Sequence, residues 1–298
     1  TSFNVVMAMR RIFQTRKVGH IGTLDPFAKG VLPVCIGRAT GVARYMDDYD
    51  KKYRVVIRFG ERTDTQDRTG TVIARNYASA SDLGRIRESG FAQLRTVLEE
   101  IRGESMQLTP MYSARKINGT PLYKLARKGI EVQREKRKII VYSAELVSAK
   151  ARDGEFSAVV DIHCSKGTYI RTVCDDIGVR LSFFAHAADL TRLSSGPFDI
   201  KDAVSIDEIG STDDPYDAFG KIRGFYKADH ALIRMPRKDL DRDEAKRIIQ
   251  GQTLRLPGPD IAERYSVYSE SGNWLGVIRL LNAEESEYRA ERIFTDAY

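Results

Sequence analysis

The sequence predicts an α+β protein built on a mixed sheet, followed by a small β-barrel-like unit. Three observations carry this. Apolar residues recur at helical spacing in several separated segments, and short apolar runs bounded by Gly, Pro, Asn and Asp read as strands between them. A turn-rich run, Gly210-Ser211-Thr212-Asp213-Asp214-Pro215, sets the C-terminal part of the chain apart. A length of 298 residues suits a large domain with a small one attached.

Val5, Val6, Met9, Ile12 and Phe13 follow helical spacing, with Ser2 or Asn4 as N-cap. Gly19 to Gly30 carries three glycines and a proline and reads as a loop, after which Val31 to Ile36 reads as a buried strand. Tyr53 to Phe59 is a strand, Gly60 to Gly70 a polar connection, and Leu94, Val97, Leu98 and Ile101 mark a helix. Asn118-Gly119 is a turn before a helical segment at Leu122 to Lys128. A long strand runs through Ile139 to Val147, Asp153-Gly154 closes a hairpin, and Glu155 to Cys164 is its second strand. Ser165 to Thr168 is a loop, and Ile170, Val173, Ile177 and Leu181 line one face of a helix. Residues 199 to 229, poor in large apolar side chains, read as a linker, so the expected domains are 1–229 with that linker and 230–298. The second contains a helix from Arg242 to Gln250 stopped by Gly251, and strands around Leu254, Tyr265 and Trp274 to Leu280.

The balance of 48 Lys+Arg against 41 Asp+Glu leaves a net charge of +7. With 42% hydrophobic and 30% charged residues, disorder is excluded as the main state. The longest stretch without a charge, Ser105 to Ala114, is half polar and far short of the roughly 20 apolar residues of a membrane span. Thr1-Ser2-Phe3-Asn4 does not open a secretory leader, so a cytoplasmic protein whose sequence starts late is expected. Cys35, Cys164 and Cys174 are an odd set without CxxC spacing, and His20, His163, His186 and His230 show no paired-ligand spacing. Neither GxxxxGK[ST] nor GxGxxG occurs, so no metal, nucleotide cofactor or other cofactor is expected.

The basic surplus is concentrated. The first sixty residues hold 11 Lys/Arg against 4 Asp/Glu, and residues 110 to 140 hold 9 against 2, whereas acids slightly outnumber bases from residue 211 onward. Two basic segments that also carry glycines and tyrosines fit a groove following a phosphate backbone. A single run such as Arg134-Glu135-Lys136-Arg137-Lys138 is better read as a solvated face, but two clusters favour nucleic acid.

Gly19-His20-Ile21-Gly22-Thr23-Leu24-Asp25-Pro26 puts one carboxylate in a glycine-rich loop, with Pro26 biasing Asp25 toward an extended conformation. An ionised aspartate there serves as nucleophile or general base, but Asp-Pro is also a common turn dipeptide, and the local sequence leaves both readings open. Cys164-Ser165-Lys166-Gly167-Thr168-Tyr169-Ile170-Arg171 offers a glycine, a cation and an aromatic ring at a helix start. Lys51-Lys52-Tyr53-Arg54 interleaves an aromatic with cations, as base stacking beside a phosphate requires, while Tyr53 as a strand core residue is the plainer reading.

Together these segments resemble the TruB family of pseudouridine synthases, which convert uridine 55 in the T-loop of tRNA into pseudouridine. The resemblance runs through Lys17 to Pro33, Lys51-Lys52-Tyr53, Thr63-Asp64-Thr65-Gln66-Asp67, Pro110-Met111-Tyr112-Ser113-Ala114 and Cys164 to Thr172, and less specifically through 230–298, which is similar to the family's PUA-type RNA-binding module. It implies a catalytic role for Asp25, an arginine partner in Arg171 and a base-packing ring in Tyr53. It also implies His20 beside a flipped nucleotide, and Tyr169 and Leu190 lining the uridine pocket. The implied partner is the T-arm stem-loop of tRNA, bound by a monomer without a membrane. Three departures stand out: the family's Lys-Pro-x-Gly strand is absent ahead of Thr1-Ser2, Ile21 stands where Thr is usual, and Lys29 replaces a small hydroxyl residue. Two rival readings remain. One is a non-catalytic RNA-binding or RNA-folding protein on the same scaffold, and the other is a hydrolase using Asp64 and Asp67 as paired carboxylates.

Overall fold

In the computed structural model, which describes residues 1–46, 48–211, 214–219, 221, 223–257 and 262–294, the chain opens with helix α1 (Ser2–Ile12). Its cap is Thr1, whose hydroxyl accepts from the Asn4 amide at 3.3 Å, a contact that stabilises a helix by about 1 kcal/mol. Ser2 is already helical and buried. Strands β1 (Val18–His20), β2 (Lys29–Gly30) and β3 (Val34–Ile36) follow. The predicted strand from Val31 keeps only its last three residues. Pro33 has no amide to donate, and the Val31 amide turns to the Arg192 carbonyl at 3.0 Å.

Next come β4 (Lys51–Phe59), β5 (Glu61–Thr63), β6 (Val72–Arg75), α2 (Ala80–Glu88), α3 (Ala92–Glu100) and β7 (Gly103–Leu108). The hairpin β8 (Lys116–Ile117) and β9 (Thr120–Pro121) turns at Asn118 (φ 48°) and Gly119 (φ 79°), the paired positive angles of a two-residue turn. After α4 (Leu122–Ala126), the strands β10 (Lys136–Arg152) and β11 (Glu155–Cys164) form the long hairpin, again through positive angles at Asp153 and Gly154. Helix α5 (Ile170–Arg180), β12 (Ala185–Ser195) and β13 (Phe198–Asp199) complete this part. Beyond them lie α6 (Ile206–Gly210), β14 (Arg237–Leu240), α7 (Arg242–Ile249), β15 (Leu254–Arg255), β16 (Arg264–Ser269), β17 (Trp274–Asn282) and β18 (Glu287–Ile293).

The chain forms two compact units, one of Leu24–Val31 with Asp48–Ile200, the other of Thr1–Thr23, Leu32–Asp47 and Lys201–Tyr298. In the first, a seven-stranded sheet runs β13-β12-β4-β11-β10-β7, with β2 added parallel to β12. Alternation on β4 sends Val55, Ile57 and Phe59 into the core with Val160 and Ile162 of β11. Ile170, Val173 and Ile177 of α5 join them, as do Leu94, Val97 and Leu98 of α3. Phe59 stacks on Phe156 with ring centroids 4.0 Å apart. Burying each such side chain contributes about 1.5–3 kcal/mol, so α5 is pinned along most of its length and its first turn has a fixed place over the sheet.

No local pattern marked β12, although it is an internal strand. Ala, Asp and Ser are poor strand formers, and bulges between Ala187 and Asp189 and between Arg192 and Ser194 break the alternation that would have marked it. Pairing with β4 on one side and β13 and β2 on the other overrides that weak propensity.

Two cores of the second unit lie among the described residues. Val6 and Met9 of α1 and Phe13 just after it pack with Val18, Ala218 and Phe225, and Val204, Ile209 and Phe219 join at the margin. The segment read as a linker therefore carries a capped helix, with Ser205 and Glu208 forming the capping box of α6, and contributes to a core. Thr212 and Asp213 of its turn-rich run lie outside the described residues. The other core lies within a five-stranded sheet ordered β14-β16-β17-β18-β15, where Tyr265, Val267, Ile278 and Tyr288 meet Leu240, Ile248 and Leu254. Strands β14 and β18 escaped sequence reading because their exposed positions alternate Arg, Lys, Asp and Glu rather than a clear apolar run. Asp241 caps α7 in a capping box with Glu244. Among the described residues no helix is long and apolar enough to cross a membrane. Cys35, Cys164 and Cys174 are buried free thiols, and burial pushes Cys35 up to about 11 and Cys164 up to about 12.

Candidate active site

Asp25 opens a tight turn in which the Ala28 amide donates to the Asp25 carbonyl at 2.9 Å, with Pro26 in the position its fixed φ favours. Phe27 and Ala28 then pack on the core, and Lys29 and Gly30 pair in parallel with Thr191 and Arg192. Gly30 has φ 105°, and a Cβ there would lie 2.2 Å from the Arg192 carbonyl oxygen, so only glycine closes this pairing. Buried Arg192 seals the same end, its Nε donating to the Val31 carbonyl at 2.7 Å. Lys29 bridges Asp189 at 2.8 Å on the surface, a pair worth about 0–1 kcal/mol. Gly30→Ala is expected to destabilise the unit by about 2 kcal/mol or more, from strain and backbone clash, and to lower the rate by misplacing Asp25. An unchanged denaturant midpoint for that variant would contradict the account.

Arg171 is the centre of the site. It stands in the first turn of α5 with its side chain 2% exposed, and its Nε and Nη2 grip both oxygens of Asp25 at 2.8 and 3.0 Å. The same Nη2 donates to the Tyr112 carbonyl at 2.8 Å, and Nη1 donates to the Thr65 carbonyl at 2.7 Å. Nη1 also faces the buried Asp67 carboxylate at 3.8 Å. One guanidinium thus serves two carboxylates and two carbonyls, the fork geometry that lysine lacks. Asp25 keeps its side chain 34% exposed, so a carboxylate gripped and oriented on one side is open on the other.

The Thr63 to Asp67 segment is built around its acids. One Asp67 oxygen accepts from the Thr65 hydroxyl at 2.9 Å, the Thr69 amide at 2.9 Å and the Thr69 hydroxyl at 2.6 Å. Asp64 accepts from the Thr71 amide at 2.8 Å and the Tyr112 hydroxyl at 3.2 Å. Both carboxylates are engaged in holding the loop, which leaves the paired-carboxylate hydrolase without its reacting groups.

Tyr53 sits on β4 opposite Ile162 and Arg192. Burial pushes its phenol up to about 12, with the Arg192 guanidinium pulling the other way, so at pH 7 it is a neutral ring. Tyr169 is the N-cap residue of α5, two positions before Arg171, and its backbone is held from both sides by Gln107, whose Oε1 accepts from the amide at 2.8 Å and whose Nε2 donates to the carbonyl at 3.1 Å. Leu190 is 3% exposed on β12, opposite Val55. Asp25, Arg171, Tyr53, Tyr169 and Leu190 all belong to one unit, while His20 lies on β1 of the other, paired with Val34. Sequence reading missed Arg192 and Gln107. A buried arginine on an unrecognised strand and a glutamine fixing a backbone from across the sheet leave no local pattern.

The fold has known counterparts. The archaeal box H/ACA sRNP Nop10-Cbf5 complex contains a chain matching with TM-score 0.69 at 21% identity, over 99% of this chain and 83% of that one, and a Cbf5-Nop10-Gar1 complex gives 0.70 at 20% identity over 98% and 81%. At such identity the likeness speaks for the α+β architecture alone. In sequence, the TruB family pseudouridylate synthase N-terminal domain matches residues 10–170. The tRNA pseudouridine synthase B of Shouchella clausii is 37% identical over 99% of this chain and 94% of its own length, and that of Clostridium kluyveri 37% over 93% and 90%. The protein of the same name from Syntrophotalea carbinolica is 46% identical over 70% of this chain and 64% of its own length. The chain belongs to the TruB family of pseudouridylate synthases.

Proposed function

We propose that the protein isomerises uridine 55 in the T-loop of tRNA to pseudouridine, acting in the cytoplasm as a monomer without a cofactor, with Asp25 as the reacting group. The observation that carries this reading is the buried Arg171 fork on Asp25, which leaves one oriented carboxylate half open. The target uridine must leave its stack, at a cost of a few kcal/mol that protein stacking and phosphate contacts offset. Tyr53 packs on the base, Tyr169 and Leu190 line its pocket, and His20 accompanies the flipped nucleotide. Asp25 then assists cleavage of the C1′–N1 bond, by attaching to the sugar or by taking a sugar proton. The uracil rotates, C5 joins C1′ as the bond to Asp25 breaks or the sugar proton returns, and C5 gives up its proton while N1 takes one up. Atoms are conserved and nothing is oxidised, so the chemistry asks only for orientation and one carboxylate. Tritium release from tRNA labelled at uridine C5 tests it: binding without release would leave the RNA-folding reading standing.

Exposed Lys116, Lys124, Arg127, Lys128, Lys136 and Arg137 form a basic surface on the catalytic unit, and residues 230–298, with a core of their own, act as an RNA-docking module. Neutralising roughly six to ten phosphates would give whole tRNA a log–log salt slope of about −5 to −9, and a T-arm stem-loop too short for the module a shallower one. A flat response between 50 and 200 mM salt, or equal slopes for the two RNAs, would overturn the assignment.

A further inference from the structure

We propose that Gln66 is a positioning residue for the Asp25–Arg171 pair, a clip that ties the Thr65–Asp67 loop to α5 and thereby sets where the Arg171 guanidinium lies. Gln66 is a non-glycine residue in left-handed conformation, at φ 61°. Its backbone is fixed at both ends, the amide donating to the Thr63 carbonyl at 3.1 Å and the carbonyl accepting from the Ala187 amide at 3.0 Å. Its side chain reaches α5 twice. The Thr172 hydroxyl donates to Oε1 at 2.9 Å, and Nε2 donates to Asp175 Oδ2 at 3.1 Å.

Both anchors belong to the turns that carry Arg171, and residues three apart share a helix face. Asp175 is itself immobile, 4% exposed and gripped by Nε and Nη2 of Arg62, each at 2.6 Å. The residue before Gln66 supplies the carbonyl that receives Arg171 Nη1 at 2.7 Å. Helix, clip, Thr65 carbonyl and guanidinium close a ring, so a shift of the loop tilts the fork that aims Asp25. The chemistry selects an amide: one end must accept from a hydroxyl and the other must donate to a carboxylate, whereas a glutamate would set two carboxylates against each other.

This inference rests on Asp25 being the reacting group, so Asp25→Asn is run as the reference. Gln66→Asn suits a left-handed backbone but is one methylene too short to span both anchors, and Thr172→Val cuts one anchor without touching the loop. Single-turnover rates at saturating tRNA are expected to fall about ten- to a hundredfold for Gln66→Asn and several-fold for Thr172→Val, the scale of a small misplacement at a reacting centre. The Kd for tRNA and the thermal midpoint should stay near wild type. Wild-type rates in both variants would overturn the clip, as would rate losses matched by weakened binding or a lowered midpoint, which mark a merely structural role. A fully active Asp25→Asn would overturn the site reading instead.

Discussion

Asp25→Asn is expected to lower the single-turnover rate of pseudouridine formation by more than about a thousandfold while tRNA binding stays within a few-fold of wild type. The asparagine keeps the size and the turn, and its amide oxygen still accepts one hydrogen bond from Arg171, so the loop retains its anchors at Phe27, Gly30 and Val31. What disappears is the negative charge. An amide is neither a nucleophile toward C1′ nor a base for a sugar proton at neutral pH. The Arg171 fork then holds a group without reactivity, and binding through the basic surface proceeds unchanged. Turnover near the wild-type rate would remove Asp25 from the chemistry and return it to the turn-forming role that Asp-Pro also permits.

Arg171→Met is expected to cost about 3–5 kcal/mol of stability and to abolish activity, the larger structural effect of the two. Methionine fills much of the space but offers no donor. Asp67, 7% exposed, loses its facing cation, and the carbonyls of Thr65 and Tyr112 lose their donors in a site that water enters poorly. Arg171→Lys retains the charge but not the fork, since one ammonium cannot reach both Asp25 oxygens and two carbonyls together. It should fold with a smaller loss, about 1–3 kcal/mol, and still react at least about a hundredfold slower, because Asp25 is no longer held in both rotation and tilt. Denaturant midpoints and single-turnover rates on the two variants check this. A methionine variant as stable as the wild type would mean that Arg171 does not organise the site.

The sequence by itself determined the elements whose physics is local. Helical spacing marked α1, α3 and α5, Asn118-Gly119 marked a turn and Asp153-Gly154 a hairpin, because positive backbone angles cost least at those residue types. The carboxylate, the arginine and the tyrosine were legible through a resemblance spread over segments in a fixed order, although each segment alone supported a structural reading as well. Only the tertiary structure decided how they act together. Arg171 and Asp25 lie 146 residues apart and meet because the apolar face of α5 is buried against β4 and β11 while Gly30 closes on Arg192. Strand β12, which carries that closure and Leu190, was invisible because polar residues and two bulges erase its period, and only pairing with its neighbours makes it a strand. The core role of residues near 218 to 225 was hidden for a related reason: a few apolar side chains in a polar stretch count for little locally, and they become a core only when α1 lies against them. Burial and long-range hydrogen bonding are properties of the assembled chain, so Arg192, Gln107 and the contacts of Gln66, which steady the Asp25–Arg171 pair from a distance in sequence, could be found only where the chain had brought them.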